Sequence, residues 1–195
     1  MSTPKYLIAG VDEVGKGCLF GPVFAGAVIL SKTNASKLLS QGLKDSKKLS
    51  HRQRFNLVPL IKENSLAWSI GQASAREIDC IGIREATEKA MVRALEKFSS
   101  PPDLILVDGI LPIRLWPGEQ KTQVRGEHHF PSIAAASVLA KEARDELIKR
   151  LARQYSFYGL EKNKGYGTEI HRTNLLKAGV TKLHRKSFLS RLEIG

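Results

Sequence analysis

Apolar and polar positions along the chain follow two different periods, which predict strands and helices in alternation. Short apolar runs bounded by glycine, proline or charged residues are typical of β-strands. Such runs occupy residues 6–12, 22–30, 66–73 and 103–108, and residues 122–125 are expected to add an edge strand.

Helices are predicted from capping boxes and from apolar residues spaced three and four positions apart. Ser50 and Ser74 each begin a capping box, in which a serine and the residue three positions later bond each other's backbone N–H groups. Pro59 is expected to distort the helix that follows Ser50. Residues 83–98 and 132–153 form the longest helical stretches. Strands that alternate with helices indicate an α/β layered fold.

The pattern changes after about Tyr158 to short helices, loops and basic residues. We therefore divide the chain into a main domain, residues 1–158, and a small C-terminal helical appendage, residues 159–195. One domain with a small appendage suits a chain of 195 residues.

The charge balance of the chain is strongly basic. Lys and Arg number 31 against 19 Asp and Glu, which gives a formal net charge of +12 and an isoelectric point of about 9.9. On a domain of this size the excess favours a polyanionic partner, most often nucleic acid, over a merely basic surface.

Cysteine usage and hydropathy favour a cytoplasmic protein without a membrane segment. Cys18 and Cys80 form neither a disulfide framework nor a metal-binding spacing, which suits a reducing compartment. No apolar run approaches the ~20 residues that a membrane helix needs. The N-terminus passes into the first strand without room for a signal peptide, so we expect a cytoplasmic location.

Three carboxylates lie at the ends of predicted strands. Asp12 and Glu13 end the first strand, and Asp108 ends the strand at 103–108. Ligand sites in α/β folds form at the carboxyl ends of strands, so these side chains are expected to converge. Carboxylates without a histidine or cysteine cluster select hard cations such as Mg²⁺ or Mn²⁺. Two such ions can support the hydrolysis of a phosphodiester.

A further carboxylate could come from the helix at 132–153. Asp145 and Glu142 are three positions apart and share a face of that helix. From helix position alone, a solvated acid paired with Lys141 or Lys149 is the simpler interpretation of Asp145.

A glycine-rich loop follows the first strand. Gly15, Lys16 and Gly17 offer flexible backbone amides and one cation, which suits a phosphate. A solvated turn after a strand is the alternative.

Six segments, in order and at compatible spacing, resemble the motifs of the ribonuclease HII (type 2 ribonuclease H) family. Together they cover nearly the whole chain. They are residues 10–17 with 21–22, 43–50, 106–109, 132–145, 164–168 with His171, and 184–188.

The resemblance implies a ribonuclease H-like fold, in which a mixed central β-sheet is flanked by helices and residues 1–158 form the catalytic domain. It implies hydrolysis on the 5′ side of a ribonucleotide by two Mg²⁺ or Mn²⁺ ions, which leaves a 3′-hydroxyl and a 5′-phosphate. The implied partners are RNA–DNA hybrids and duplex DNA with embedded ribonucleotides, and we expect a monomer.

The resemblance also assigns roles to residues that match the family's motifs. Tyr166 would pack on the deoxyribose next to the scissile junction. The catalytic and metal-binding acids would be Asp12, Glu13, Asp108 and Asp145, with Glu142 as the runner-up to Asp145. The remaining substrate contacts would be Gly15, Lys16, Gly17, Asp45, Ser46, Lys47, Lys48, His184 and Arg185.

Two positions depart from the family's usual pattern. Lys16 replaces the more usual arginine, so a bidentate side-chain contact is lost while the backbone contacts remain. Glu127 follows a glycine where aspartate is more usual, and the sequence assigns it no role.

Two other functions fit parts of the sequence. Ribonuclease HIII, a sister enzyme, is favoured slightly by Val14, Lys16 and Phe20, but that family usually has an extra N-terminal domain and lacks the element at 165–168. A non-catalytic nucleic-acid binder on the same fold would gain nothing from acids that face phosphates.

Overall fold

A mixed five-stranded β-sheet lies at the centre of the protein. A computed structural model describes residues 6–189, and the spatial order of its strands is β3-β2-β1-β4-β5. β1 pairs antiparallel with β2, and β2 with β3, whereas β1–β4 and β4–β5 are parallel. The predicted fold class is confirmed. The strands are β1 (Ile8–Val14), β2 (Val23–Ile29), β3 (Ala67–Ala73), β4 (Leu104–Asp108) and β5 (Gln120–Gln123).

Helices surround this sheet, and none within residues 6–189 is long and apolar enough to cross a membrane. Both predicted capping boxes form, at Ser50 and at Ser74. The helix after Ser50 continues through Pro59. The α-helices are α1 (Lys32–Ser40), α2 (His51–Asn64), α3 (Ala75–Leu95), α4 (Pro131–Gln154), α5 (Leu160–Asn163), α6 (Glu169–Ala178) and α7 (Lys186–Leu189).

Three elements differ from the sequence predictions. α1 was not predicted because it buries only Leu38, which leaves almost no apolar stripe to recognise. α3 joins the helix start predicted at Ser74 to the helix predicted over 83–98, across Gly82, whose φ of 81° interrupts the helical geometry. β5 covers Gln120–Gln123 instead of 122–125, since parallel pairing with β4 sets its register.

Alternation along β1 and β2 places a helix on each face of the sheet. Ala9 and Val11 belong to one apolar cluster together with residues of α3. Gly10 and Gly26 face the other way, where a Cβ atom at either position would overlap the backbone of α4. α4 therefore lies directly on β1, and its first turns are fixed close to the carboxyl end of that strand.

The C-terminal part packs on the second half of α4 and on the loop after β1. One apolar cluster joins Phe20 with Ile148 and Leu175. An isolated antiparallel bridge between Cys18 and Tyr166 brings the segment around Tyr166 beside the glycine-rich loop. Of the predicted appendage, residues 190–195 lie outside the described part of the chain.

Candidate active site and nucleic-acid interface

Asp12, Glu13 and Asp108 meet at one edge of the sheet. β1 and β4 are parallel neighbours in which Val11 pairs with Val107, so Asp12 and Asp108 follow at matching positions. The charges of Glu13 and Asp108 both act on Asp12 and raise its pKa. Glu13 and Asp108 also line one cleft with a volume of about 590 Å³. The structure thus brings the three strand-end acids together.

Burial changes the acid–base properties of these carboxyls. It raises the pKa of Asp12 to about 8, and the charge of Glu13 adds to the effect, although a hydrogen bond from Ser137 opposes it. Burial also raises the pKa of Asp108 to about 6, while the Gly126 N–H, which donates to Oδ1 at 2.7 Å, opposes the rise. Mutual repulsion of buried carboxylates is a situation that a bound divalent cation relieves.

Glu127 joins this group of acids. It lies in a short 3₁₀ turn, Gly126–His128, that follows β5, and its side chain hydrogen-bonds the Asp108 carboxyl. Its Oε2 atom is buried and has no partner within residues 6–189. Side-chain ligand atoms of Glu127, Asp45 and His128 all lie within 4.8 Å of one another. The sequence signal for Glu127 was its place after Gly126, where the family more usually has an aspartate.

Asp145 is held in a network of opposite charges instead. Its Oδ1 accepts a hydrogen bond from Lys141 Nζ at 2.7 Å, and its Oδ2 lies 3.5 Å from Arg54 Nη2. Asp145 also lies about 12 Å along α4 from Ser137, the residue of that helix that bonds Asp12. These contacts match the ion-pair interpretation rather than a place among the strand-end acids.

Glu142, the alternative to Asp145 as the fourth acid, also pairs with basic side chains. Arg54 Nε donates to its Oε1 at 2.6 Å, and His51 Nδ1 lies 3.3 Å from its Oε2.

The polar segment at 45–48 packs on α4 next to Asp12. The hydroxyls of Ser46 and Ser137 are 2.8 Å apart, and Asp45 Oδ1 accepts from the Lys47 N–H at 2.9 Å. Asp45 and Ser46 are buried, so they shape this segment from beneath, whereas the side chains of Lys47 and Lys48 are exposed and available to phosphates.

Buried arginines fix the glycine-rich loop from below. Gly15 has a φ of 83°, and a Cβ atom there would overlap the Arg144 side chain. Arg144 donates to the carbonyls of Phe20, Pro22 and Lys164 at 3.0, 3.1 and 2.9 Å, so one guanidinium joins this loop to the segment before Tyr166. The Lys16 ammonium lies 3.5 Å from Glu13 Oε1 at the mouth of the site.

Tyr166 lies at the surface beside that loop. The residue is 40% exposed, and its backbone N–H donates to the Asn163 carbonyl at 2.9 Å. Burial of the phenol and its contact with Cys18 raise the Tyr166 pKa. The ring is therefore fixed at its base and open to a ligand.

His184 and Arg185 do not fit the expected direct contact with a duplex, because they are 1% and 0% exposed. Arg185 donates to the carbonyls of Lys16 and Gly21, each at 2.9 Å. The His184 and His171 Nε2 atoms are 3.3 Å apart. In this structure the two residues therefore support the glycine-rich loop from within the protein.

Comparisons with known proteins decide the family of this chain. A sequence model of the family described as Ribonuclease HII matches residues 9–191. The chain is 86% identical over 194 residues to Ribonuclease HII of Prochlorococcus marinus (strain NATL1A), with both chains covered in full. The chain belongs to the ribonuclease HII family. It is also 62% identical over 185 residues to Ribonuclease HII of Prochlorococcus marinus (strain MIT 9313), covering 95% of this chain and 85% of the relative.

Solved structures of ribonucleases H share the fold. Ribonuclease H2 from Pyrococcus horikoshii OT3 superposes with a TM-score of 0.81 at 24% identity, over 96% of both chains. Ribonuclease HII from Archaeoglobus fulgidus, in a complex with PCNA, gives a TM-score of 0.76 at 26% identity over 92% of this chain and 93% of that one. These neighbours confirm the expected ribonuclease H-like fold.

Membership of the ribonuclease HII family makes this chain a metal-dependent endonuclease that acts on RNA–DNA hybrids. The match to ribonuclease HII rather than to its sister ribonuclease HIII removes one of the two alternatives considered above. A purely binding role is removed by the same observation, since the matched family is enzymatic.

Proposed function

We propose that this ribonuclease HII cuts the phosphodiester on the 5′ side of a ribonucleotide, both in RNA–DNA hybrids and in duplex DNA with embedded ribonucleotides. The products would be a 3′-hydroxyl and a 5′-phosphate. The observation that carries the proposal is the convergence of Asp12, Glu13 and Asp108, with the raised pKa values of Asp12 and Asp108, at one mouth of the cleft.

The residues at this mouth fit a pair of hard divalent cations. All donors are carboxylate oxygens, which suit Mg²⁺ or Mn²⁺. The Oε2 atom of Glu127, buried without a partner within the described chain, is available as a ligand atom. We therefore propose Asp12, Glu13, Asp108 and Glu127 as the acids that hold the cations, with Asp145 as a neighbour that pairs with Lys141. When bound, such ions activate a water and stabilise the leaving oxygen of the displacement.

Sugar recognition would come from the two adjacent loops. The backbone amides around Gly15 and Gly17 would contact the ribonucleotide's 2′-hydroxyl and a phosphate, and the Tyr166 ring would pack on the deoxyribose that follows. Lys16 would supply a point charge to the same phosphate. All of these residues come from one chain, so a monomer suffices for the reaction.

The test is cleavage of an end-labelled DNA duplex that carries a single ribonucleotide, with Mg²⁺ and separately with Mn²⁺. We expect one cut, on the 5′ side of the ribonucleotide, with ends that a polymerase extends directly from the 3′-hydroxyl. An all-DNA duplex of the same sequence is the control and should stay intact. Cutting on the 3′ side, or a 3′-phosphate product, would disprove the proposal.

A further inference from the structure

A buried carboxylate holds two arginines together at the wall of the active-site cleft. Glu88, on α3, has a side chain that is only 7% exposed. Arg84 Nε donates to its Oε1 at 3.2 Å, and Arg114 Nε lies 3.0 and 3.1 Å from its two oxygens. One acid thus orients two guanidinium groups, and the group of three keeps a net positive charge.

The outer ends of both guanidinium groups are unused. Arg84 and Arg114 bond Glu88 only through Nε, and their Nη atoms have no partner within residues 6–189. The two side chains are 50% and 51% exposed. In Arg144, by contrast, both Nη atoms are bonded to backbone carbonyls.

The pair lies beside the cleft, with Arg84 at its wall and Arg114 bonded to the adjoining Glu88. Arg84 and Glu88 line the same cleft as Glu13 and Asp108. Arg114 follows Ile113, which is buried and whose N–H and carbonyl both bond the Gln120 side chain, at 2.8 and 3.0 Å. Arg84 lies in α3 and Arg114 next to the anchored Ile113, so both project from ordered backbone, which reduces the entropy lost when they bind a ligand.

An isolated surface ion pair is the simpler interpretation, and such pairs contribute little to stability. It does not explain why the acid is buried, or why two cations share one carboxylate beside a group of acids. Arginine donors held in a fixed orientation with free Nη atoms suit a phosphate, which accepts two parallel N–H bonds.

We propose that Arg84 and Arg114 jointly bind one backbone phosphate of the substrate, outside the metal centre, and that Glu88 positions them for it. This phosphate site rests on the proposed function, since its ligand is the nucleic acid that the acids at the same cleft cut. Because both guanidinium groups bond the same carboxylate, a single phosphate can contact both. The positive charge of the two arginines then offsets the repulsion between the substrate phosphates and the acids of the cleft.

Binding of the ribonucleotide-containing duplex, measured against salt concentration for Arg84→Gln, Arg114→Gln and the double variant, tests the site. Each phosphate contact contributes roughly 0.9 to the slope of log K against log salt for B-DNA. We expect the double variant to lose roughly one unit of slope and each single variant to weaken binding roughly tenfold at low salt.

Arg93→Gln is the matched control. Arg93 also lies on α3 and also pairs with a glutamate, Glu77, but its Nη atoms bond Glu77 and the Gln72 carbonyl. Its replacement should leave the salt slope unchanged. An equal effect of Arg93→Gln, or an unchanged slope in the double variant, would overturn the proposal.

Substrates with single neutral methylphosphonate linkages locate the phosphate. A neutral linkage at one position outside the cleavage site should weaken binding by the wild-type protein. The same linkage should not weaken binding by the double variant any further. Equal sensitivity of both proteins at every linkage would overturn the site. If the glutamine variants fail to fold, Arg84→Lys with Arg114→Lys keeps the charge and should keep the salt slope while losing affinity. Loss of slope in that pair would also count against the proposal.

The binding measurements separate this inference from the proposed function. A wild-type protein that cut on the wrong side of the ribonucleotide would contradict the proposed reaction, yet the salt slopes would still report on Arg84 and Arg114.

Discussion

At the scale of single residues, burial of Asp12 links metal binding to stability. In the metal-free protein its pKa of about 8 lies above the ordinary value of 3.8, so the folded state binds the proton more tightly than the unfolded chain. The free energy of unfolding should therefore fall as the pH rises from 3.8 towards 8. Below that window Asp12 is protonated in both states, so its contribution to the free energy of unfolding is fully present and no longer changes with pH.

Asp12→Asn should remove this pH-dependent fall and nearly abolish turnover. Thermal unfolding in EDTA at several pH values, with and without added Mg²⁺, measures the effect. We expect Mg²⁺ to raise the unfolding temperature of the wild type at pH 8 more than that of the variant. Wild-type turnover by Asp12→Asn at saturating Mg²⁺ would show that this site is assigned wrongly.

Glu127 and Asp145 are two candidates for the fourth acid, and their contacts differ. Glu127→Gln should cut turnover strongly and weaken activation by Mg²⁺, because Glu127 bonds Asp108. Asp145→Asn should act mainly on stability, with a cost on the order of 1–3 kcal/mol, since it breaks bonds to Lys141 and Arg54. Turnover of each variant, measured against Mg²⁺ concentration, compares the two residues. The reverse ranking would return the role to Asp145.

Tyr166 should act on one substrate more than on another. Tyr166→Ala should lower kcat/KM for a single embedded ribonucleotide about tenfold to a hundredfold more than for a long hybrid, since contact of an aromatic ring with one nucleotide is worth about 1–3 kcal/mol. Tyr166→Phe keeps the ring face and should have little effect. A constant ratio between the two substrates would make Tyr166 a turn residue only.

The convergence of the strand-end acids could be predicted because it depends on local pattern, whereas their catalytic role stays a prediction. Asp12, Glu13 and Asp108 were found because each ends an apolar run. Glu127 received no role because its approach to Asp108 depends on the parallel pairing of β5 with β4 and on the turn that follows. Such pairing joins segments that have no common sequence pattern.

At the scale of elements, the contact of α4 with β1 depends on missing side chains. Gly10→Ala should place a Cβ atom against the backbone of Ser132 and Ile133 and push the helix away from the strand. We expect a loss of about 1–3 kcal/mol in the free energy of unfolding, as for other overpacked positions. Urea denaturation measures it.

Gly17→Ala is the matched control, since a Cβ atom there meets nothing within 4 Å. Equal stability of Gly10→Ala and the wild type would show that α4 adjusts without cost.

The strands and long helices were predictable because their apolar periods are clear. α1 and the continuity of α3 across Gly82 were not, because α1 buries only Leu38 and Gly82 interrupts the stripe of α3. The burial of His184 and Arg185 could not be predicted either, because the loop that they support is distant along the chain: Arg185 bonds the carbonyl of Gly21, 164 residues earlier.

At the scale of the whole molecule, the net charge of +12 should make substrate binding depend steeply on salt. Lys47→Gln and Lys48→Gln should each reduce the salt slope by roughly one unit if the exposed ammonium contacts a phosphate. Arg185→Gln should reduce stability instead, because this residue is buried under the glycine-rich loop. Binding isotherms at several salt concentrations, together with unfolding curves, separate the two effects. An unchanged slope for a lysine variant would place that lysine away from the nucleic acid.

Arg144 links the two loops for which we propose sugar contacts. Its three nitrogens bond carbonyls at Phe20 and Pro22 on one side and at Lys164 on the other. The guanidinium is planar and rigid, so the hydrogen bonds on its two sides restrict the separation of the loops. Under the proposed function, discrimination between a ribose and the deoxyribose that follows would therefore depend on a spacing set through one rigid side chain, rather than on two loops that move independently.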